Sequence, residues 1–381
     1  MAYFDNAATT YPKPQCVYDF MNEFYRNCGG SVGRGQYNLS LSAGELVDDT
    51  RDKIRRILHC PTKQVVFTPS ATIALNIIIQ GLIAAGSRVI YISPFEHNAV
   101  TRTLHFYEKN DKVNIVELPV NDQLEYDLER TKYLFDEKKP DLVIVTHASN
   151  VIGLISPLSE IFALAKKYGA ITVADMAQSA GLVDCNIGFD CFDFAVFAGH
   201  KTLFGPTGIS GFVMKPEIDL SPVFFGGTGY ESANQNMPDS LPEKFEFGTQ
   251  NILGIAGLNA ALRWIETQGI ENLYKEECRK RDMLISILEK YSFIKVVGNI
   301  PDRKYVGIVS CLLDGISSES AGEIFSSQNI SVRTGLHCAP AAHKFLGTYP
   351  AGTIRFSVNT MTCDDDFSEL NNAFDYIEEN I

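Results

Sequence analysis

Short apolar runs of β-strand character alternate along this chain with stretches of helical periodicity, and this alternation constrains the fold more than any other feature. The runs are QVVFT (64–68), RVIYI (88–92), DLVIVTHAS (141–149), AITVAD (170–175) and DFAVFA (193–198). Helical patterns follow the first run from about Ser70, the second from about Glu96 and the third in PLSEIFALAKKYG. Such alternation is typical of βαβ units. We therefore predict an α/β fold with a mostly parallel sheet covered by helices on both faces.

The pattern changes around Leu253. Two long helices are followed by YVGIVSCLL (305–313), a short helix, the runs ISVRTG and TIRFSV, and an acidic terminal helix. This order indicates a second, α+β unit, whose boundary with the first falls near 250–258. A chain of 381 residues with 45% hydrophobic content is long enough for one large core and a smaller one.

Charge and composition limit the classes of binding partner and the cellular compartment that we expect for the chain. The formal net charge of −13 argues against a general nucleic-acid-binding surface. The N-terminus lacks the basic and continuous apolar regions of an export signal, and the most apolar stretch carries Asn76 and Gln80, which suit a buried helix better than a membrane span. The nine cysteines are odd in number and have no CxxC spacing. We therefore expect reduced thiols in a cytoplasmic protein, with no metal site and no membrane partner.

Polar side chains follow several of the predicted strands, at the sheet edge where ligands of open α/β folds gather. They are Ser70, Thr72, His97, Asn150, Asp175 and Lys201. Each has an ordinary structural alternative. Lys201 could be a solvated turn residue, Asp175 a helix cap and His97 a core histidine. Their joint occurrence favours a ligand site.

Two common nucleotide motifs do not account for these residues. No GxGxxG follows the first strand, and GHKT at 199–202 is not a Walker A sequence, because that loop needs Gly directly before its Lys. What remains is a lysine in a turn broken by Gly205, Pro206 and Gly208, an aspartate, and a helix N-terminus. Pyridoxal 5'-phosphate (PLP) requires these groups: an amine for a Schiff base, a carboxylate for the pyridinium nitrogen and a seat for the phosphate.

Eight segments in a fixed order give the chain a family resemblance. They are DNAATTYPKP, SVGRGQYNLS, PFEHNAV, SNVIGLISP, VADMAQSAG, AGHKTLFGPTGISG, FEFGTQN and RTGLHCAP. Together they resemble the class V aminotransferase group and, more narrowly, the cysteine desulfurases that include SufS-like enzymes and selenocysteine lyases. The resemblance implies the PLP-dependent transferase fold type I, with a seven-stranded, mostly parallel sheet. It also implies an N-terminal segment (1–15) near the active site, a large PLP-binding domain (16–252) and a small C-terminal domain (253–381).

The resemblance assigns roles around the cofactor ring. Lys201 would form the Schiff base, and Asp175 would hold the pyridinium proton. Gln178 would reach the phenolic oxygen of the cofactor, with Asn150 nearby. His97 would stack on the ring face and could move protons. Desolvation and neighbouring positive charge would lower the pKa of Lys201 toward that of a reactive amine.

The phosphate and the substrate have their own implied residues. The phosphate would lie on the amides and hydroxyls of Ser70, Ala71 and Thr72, with His200 as a further donor. Thr249, in FEFGTQN, would reach across a two-fold interface to the neighbour's phosphate, so a homodimer is expected; the alternative is a glycine-rich surface loop. Arg355 would clamp the substrate carboxylate with its bidentate fork, near Asn150 and Ala8. Its alternative is a strand residue on the solvent face.

The implied reaction is PLP-dependent desulfuration of L-cysteine to L-alanine. Cys338 would take the sulfur as a persulfide and pass it to an acceptor protein, with iron–sulfur cluster assembly and tRNA thiolation among the routes it could serve. Arg333 and His337 could favour the thiolate of Cys338, which would otherwise be a small buried cysteine. Selenocysteine lyase, another class V enzyme such as an aminotransferase, and an inactive PLP-binding or assembly protein remain as alternatives.

Three positions depart from the family pattern. Ala198 stands where relatives often carry a phosphate-binding serine, so one phosphate donor of the family pattern is absent at this position. Tyr37 stands where SufS-like relatives often have histidine, and Leu336 replaces the first histidine of their RxGHHCA pattern. The last two bear on the substrate and the partner rather than on PLP chemistry.

Overall fold

The computed structural model describes residues 1–30, 32, 37–230 and 233–380. Most of the stretch SVGRGQ, which opens one of the family segments, lies outside the described residues. The strands are β1 (Ala2–Tyr3), β2 (Gln64–Thr68), β3 (Val89–Ile92), β4 (Asn114–Glu117), β5 (Leu142–Thr146), β6 (Ile171–Asp175), β7 (Phe194–Ala198), β8 (Ser210–Met214), β9 (Ile294–Val297), β10 (Ile308–Leu313), β11 (Ile330–Ser331), β12 (Arg333–Gly335) and β13 (Thr353–Ser357). The helices are α1 (Gln15–Cys28), α2 (Asn38–Ile57), α3 (Ala71–Ala84), α4 (Asn98–Glu108), α5 (Leu128–Glu137), α6 (Leu158–Lys167), α7 (Ile252–Gln268), α8 (Ile270–Leu288), α9 (Ser318–Ser327), α10 (Pro340–Phe345) and α11 (Asp364–Asn380).

The central sheet has seven strands in the order β2-β8-β7-β6-β5-β3-β4. All neighbours are parallel except β8, which runs antiparallel to both β7 and β2. Every residue of β5, β7 and β8 is buried, because helices cover both faces of such a sheet and leave continuous apolar strands. The prediction of an α/β fold with a mostly parallel, seven-stranded sheet is confirmed.

Local chemistry explains why α3 begins where it does. The Ser70 hydroxyl accepts a hydrogen bond from the Ile73 amide at 3.3 Å and caps the helix N-terminus. The helix is apolar on most sides and largely buried against the sheet. Its N-terminus therefore points at the carboxyl edge of β2, as the sequence predicts for a phosphate seat. No helix within the described ranges has the length and apolarity needed to cross a membrane.

A second, antiparallel sheet lies in the C-terminal part, in the order β12-β13-β10-β9. Helices α8, α9 and α11 pack on it around an aromatic cluster in which Phe356 contacts Phe4, Phe325 and Phe374. In its register, Arg355 of β13 pairs with Ser310 on one side and Arg333 on the other.

The N-terminal segment connects the two sheets. Strand β1 pairs with β11 of the C-terminal part, and Asp5 forms a bridge with Ser357 at the end of β13. A few residues later, the hydroxyls of Thr9 and Thr10 donate to the carbonyls that follow β7, at 3.1 and 2.9 Å. These bonds hold the segment over the edge of the central sheet, where Lys201 lies.

Candidate active site

Lys201 lies in a tight turn directly after β7. The Phe204 amide donates to the Lys201 carbonyl at 2.9 Å, and the Gly205 amide donates to the Gly199 carbonyl at 2.7 Å. A Cβ atom on Gly199 would lie 2.3 Å from the Ile209 carbonyl oxygen, so only glycine fits there. Burial lowers the pKa of Lys201 to about 8. The turn thus presents an amine of lowered basicity at the sheet edge.

Asp175 faces Lys201 from the end of the neighbouring strand, β6. It is buried, and its Oδ1 accepts from the Ala177 amide at 2.9 Å. Burial raises the pKa of Asp175, whereas the Ala177 amide and the Lys201 charge oppose the rise. The carboxylate therefore lies where it could hold a proton on a ring nitrogen, and it is more than a helix cap.

His97 caps helix α4 rather than filling the core. Its Nδ1 accepts from the Ala99 amide at 3.0 Å, so the proton of the neutral ring is on Nε2. Burial, and then the charges of Lys201 and Arg333, lower the pKa of His97 to about 4. The ring is neutral at pH 7 and can stack on a flat aromatic system.

The sheet edge also contains groups that suit a phosphate. The first amides of a helix have no intrahelical acceptor, and those of Ala71 and Thr72 lie behind the Ser70 cap. The Nδ1 atom of His200 is buried and has no hydrogen-bond partner among the residues that the structure describes. A helix N-terminus, a buried ring nitrogen without a partner, an aspartate and a lysine of lowered pKa, all at the ends of strands of the central sheet, together fit PLP.

Gln178 and Asn150 are both buried, and each donates to a main-chain carbonyl of another segment. Gln178 Nε2 donates to the Ala7 carbonyl at 2.8 Å, which places Ala8 beside it. Asn150 Nδ2 donates to the His337 carbonyl at 2.6 Å. Gln178 is thereby linked to the N-terminal segment and Asn150 to the cysteine loop.

Arg355 is 1% exposed, so the alternative of a solvent-facing strand residue is wrong. Its Nη1 donates to the Asn150 carbonyl at 2.9 Å, and its Nη2 donates to Asp5 Oδ1 at 2.8 Å. In the described part of the chain, its buried Nε has no partner. The guanidinium is thus held on one side, and its Nε edge is left for a ligand carboxylate.

Cys338 lies in the loop after β12. His337 and Cys338 both have left-handed backbone conformations, with φ of 47° and 59°. The Cys338 carbonyl accepts from the Asn98 amide at 2.7 Å, and Arg333 Nη2 lies 3.5 Å from its sulfur. The half-buried side chain lines an open cavity of about 890 Å³ between α4 and α10. It is therefore not a small core cysteine.

Thr249 is exposed, and it lies three residues after Glu246, which is held by hydrogen bonds. Glu246 accepts from the Phe67 amide at 2.8 Å and from Arg51 Nη2 at 2.7 Å. The Thr249 loop is thereby held beside β2. Its contact with a neighbour's phosphate stays a prediction.

The three positions that depart from the family pattern, Ala198, Tyr37 and Leu336, differ in their surroundings. Ala198 is buried opposite Ser210, whose hydroxyl accepts from the Gly199 amide at 3.4 Å. Tyr37 is exposed and Leu336 half-buried.

Among the residues that the structure describes, no three or more histidine, cysteine, aspartate or glutamate side chains form a cluster that could hold a metal ion.

Sequence reasoning missed two acidic residues of this region. Asp5, the partner of Arg355, lies in DNAATT, and its position in that segment was the available signal. Glu96 directly precedes His97 and is fully buried. Its Oε1 accepts from the Ser93 hydroxyl and the Thr146 amide, both at 2.6 Å, which ties the α4 N-terminus to β5. Burial raises the pKa of Glu96 to about 8.

Comparison with known proteins agrees with this geometry. The family model for aminotransferase class-V matches residues 2–370. The chain belongs to the class-V aminotransferase family, whose members depend on PLP. Within that family it is similar to a cysteine desulfurase of Escherichia coli O157:H7, at 32% identity over 350 residues that cover 89% of this chain and 84% of the relative. A cysteine desulfurase of Haloferax volcanii is 29% identical over 389 residues, covering 100% and 90%.

Solved structures show the same likeness. The apo cysteine desulfurase from Thermococcus onnurineus NA1 superposes with a TM-score of 0.90 at 29% identity, covering 100% of this chain and 95% of that one. The cysteine desulfurase CsdA from Escherichia coli, in an S-sulfonic acid form, gives a TM-score of 0.84 at 26% identity with the same coverage.

Proposed function

We propose that this chain is a PLP-dependent cysteine desulfurase that takes the sulfur of L-cysteine onto Cys338. The observation that carries the proposal is the arrangement around that residue. A half-buried thiol with an arginine 3.5 Å away shares the site with Lys201, whose pKa reflects Asp175, Arg355, Arg333 and Cys338 after the main effect of burial. The side chains of this lysine, aspartate, cysteine and the two arginines therefore lie close enough together to act on one bound ligand.

Four residues would hold and tune the cofactor ring. PLP, when bound, withdraws electrons from the bonds at the substrate Cα. Lys201 Nζ, with a pKa of about 8, is neutral in roughly a tenth of molecules at pH 7, far more than an ordinary lysine, and in that form can attack a carbonyl or accept a proton. Asp175 would keep a proton on the ring nitrogen, and the neutral ring of His97 would cover one face. Gln178 would orient the ring through its phenolic oxygen.

The substrate would be oriented by its carboxylate. The Nε edge of Arg355 is unpaired, whereas Asp5 and the Asn150 carbonyl occupy the Nη side. A carboxylate on that edge would make the bidentate contact that arginine favours. Burial strengthens this contact because water cannot compete for either partner.

Cys338 would carry out the sulfur transfer. Its thiolate attacks the substrate sulfur, so an S–S bond forms while the Cβ–S bond of the substrate breaks. The electron pair of the broken bond stays with the carbon skeleton, which takes up a proton and leaves as L-alanine. Cys338 is left as a persulfide, and Arg333 lies close enough to stabilise the anionic sulfur.

A Cys338→Ser variant tests this proposal. It should keep the yellow cofactor and its spectral response to L-cysteine, since neither needs the sulfur, while sulfide release falls at least 100-fold. Mass spectrometry of the unreduced wild type should find one extra sulfur atom on the Cys338 peptide. Cys363→Ser, at an exposed cysteine, is the matched control and should desulfurate normally.

Other outcomes separate the alternatives. An unmodified Cys338 peptide together with full sulfide release from the serine variant would favour an aminotransferase-type enzyme. Selenium elimination that survives the loss of Cys338 would favour a selenocysteine lyase. Purified protein that binds no PLP and releases no sulfide would leave only the non-enzymatic alternative, in its form as an assembly protein.

The same proposal includes a sulfur-acceptor protein, a homodimer and a cytoplasmic location. The cavity outside Cys338 gives an acceptor thiol access to the sulfur. The cysteines of the chain are all unpaired, which suits a reducing compartment.

A further inference from the structure

Two buried imidazoles lie beneath the Cys338 loop. The ring centroids of His337 and His343 are 5.4 Å apart, and the ring planes meet at 45°. Both side chains are buried. Within the described ranges, Nδ1 of His337 and Nε2 of His343 have no hydrogen-bond partner. Buried polar atoms are nearly always paired, so two such atoms on adjacent rings call for an explanation.

A chain of hydroxyl groups fixes the proton on His337. The Val151 carbonyl can only accept, so the Ser310 hydroxyl donates to it at 2.7 Å. The single proton of the Thr353 hydroxyl then goes to Ser310 Oγ at 3.1 Å. Nε2 of His337, 2.9 Å from Thr353 Oγ1, must therefore be the donor. In a neutral imidazole the other nitrogen is then a bare acceptor, so Nδ1 of His337 needs a donor.

His343 has the complementary proton. Its Nδ1 lies 2.7 Å from Thr348 Oγ1. The other acceptor open to that hydroxyl, the His343 carbonyl, is 3.5 Å away, beyond the usual range of an O–H···O bond, so we assign the hydroxyl proton to Nδ1. Burial lowers the pKa of His343 to about 4, which keeps the ring neutral. Its remaining proton is on Nε2, the unpartnered atom, which is therefore a donor.

We propose that His343 is a positioning residue for Cys338, in which Nε2–H of His343 serves as the hydrogen-bond partner of His337 Nδ1. A hydrogen bond of ordinary length between facing nitrogens of two imidazoles places the ring centroids about 5 Å apart, close to the 5.4 Å found here, so the two rings are near enough for this bond. The bond would fix His337, the residue directly before the nucleophile. Left-handed backbone at both His337 and Cys338 is uncommon for residues other than glycine and depends on such anchors. The inference rests on the proposed desulfurase function.

A matched pair of variants tests the proposal. His343→Leu keeps the volume but removes the donor, and His343→Gln returns an N–H near the position of Nε2. The leucine variant should keep the cofactor absorbance and a KM for L-cysteine within about twofold of wild type, while kcat for alanine falls about 10- to 100-fold, as expected for a displaced nucleophile. The glutamine variant should recover most of kcat. His59→Ala, at an exposed histidine, should match wild type.

Hydrogen exchange of residues 336–339 gives a readout that needs no turnover. Faster exchange in His343→Leu and near-normal exchange in His343→Gln support the proposal even if wild type releases no alanine, a result that would overturn only the desulfurase function. If the leucine variant does not fold, Thr348→Val removes the proton that sets the tautomer and should show the same changes. Wild-type kcat with wild-type exchange in these variants, or a loss expressed in KM alone, would overturn the proposal.

Discussion

Burial of Lys201 lowers the stability of the folded protein and at the same time makes the amine more reactive. Burial is the main cause of its low pKa, and the fall from 10.5 to about 8 corresponds to at most about 3 kcal/mol of unfavourable free energy in the folded, cofactor-free protein. The cost is fully present below pH 8, where both states carry the proton. Between pH 8 and 10.5 the unfolded state binds more protons, so the stability of the folded state rises with pH.

Lys201→Met should therefore stabilise the cofactor-free protein at pH 7, and the gain should shrink as the pH rises toward 10.5. Methionine fills a similar volume and has no charge to bury. Urea unfolding of both proteins at several pH values measures the difference, and other titrating groups cancel in the comparison. A gain that does not change with pH would show that packing, and not the ammonium, is responsible.

For Arg355, the geometry of the side chain matters more than its charge. Arg355→Lys keeps the positive charge but loses the fork that serves Asp5, the Asn150 carbonyl and the substrate together. We expect the KM for L-cysteine to rise about tenfold or more, with cofactor absorbance unchanged. Steady-state kinetics checks this, and Arg303→Lys, on the surface, is the control. An unaltered KM would mean that another residue holds the carboxylate.

At the scale of elements, the sequence predicts best what is local. Strands β3, β5, β6 and β7 fall within the predicted apolar runs, because a parallel strand buried on both faces is apolar throughout. Strand β2, which pairs only with the antiparallel β8, also coincides with its run. The Lys201 turn is equally local, since it depends on glycines within ten residues. Strand order and the pairing of β1 with β11 depend on contacts between distant segments, which one sequence does not reveal.

The residues of the candidate site also divide into those that local sequence predicts and those that it does not. Lys201, Asp175 and the α3 N-terminus follow strands directly, so sheet topology alone brings them together. Asp5 and His343 act through Arg355 and His337, and their importance appears only where separate segments meet. Their polar character was visible in the sequence, but their partners were not.

Helix α7 bears on the predicted boundary at 252–253. Its buried face, which includes Ile255, Leu258 and Leu262, packs with α2 in the same hydrophobic core as strands of the central sheet. Gly269, between α7 and α8, has a φ of 80° that favours glycine and ends α7. This packing favours a boundary near Gly269. The division into 1–15, 16–252 and 253–381 stays a prediction.

At the scale of the whole molecule, exposed aromatic residues favour a second subunit. Phe224, Phe225 and Tyr230 lie on the segment that leads to the Thr249 loop, and Phe225 is 73% exposed. Apolar side chains grouped in this way are typical of protein interfaces. A two-fold interface there would bring Thr249 of each subunit toward the other, so the dimer and the phosphate site would depend on each other.

Hybrid dimers test this dependence directly. Lys201→Ala inactivates its own site, and Thr249→Asp places a negative charge against the phosphate that Thr249 serves. If Thr249 serves the neighbour, a hybrid has one intact site, and random pairing of equal amounts restores roughly a quarter of wild-type activity. Sulfide release after co-refolding measures the recovery. Lys201→Ala mixed with Asp175→Ala is the control and should stay inactive, because both residues act within their own subunit. Activity equal to the mean of the two separate variants would mean that Thr249 serves its own chain or no site.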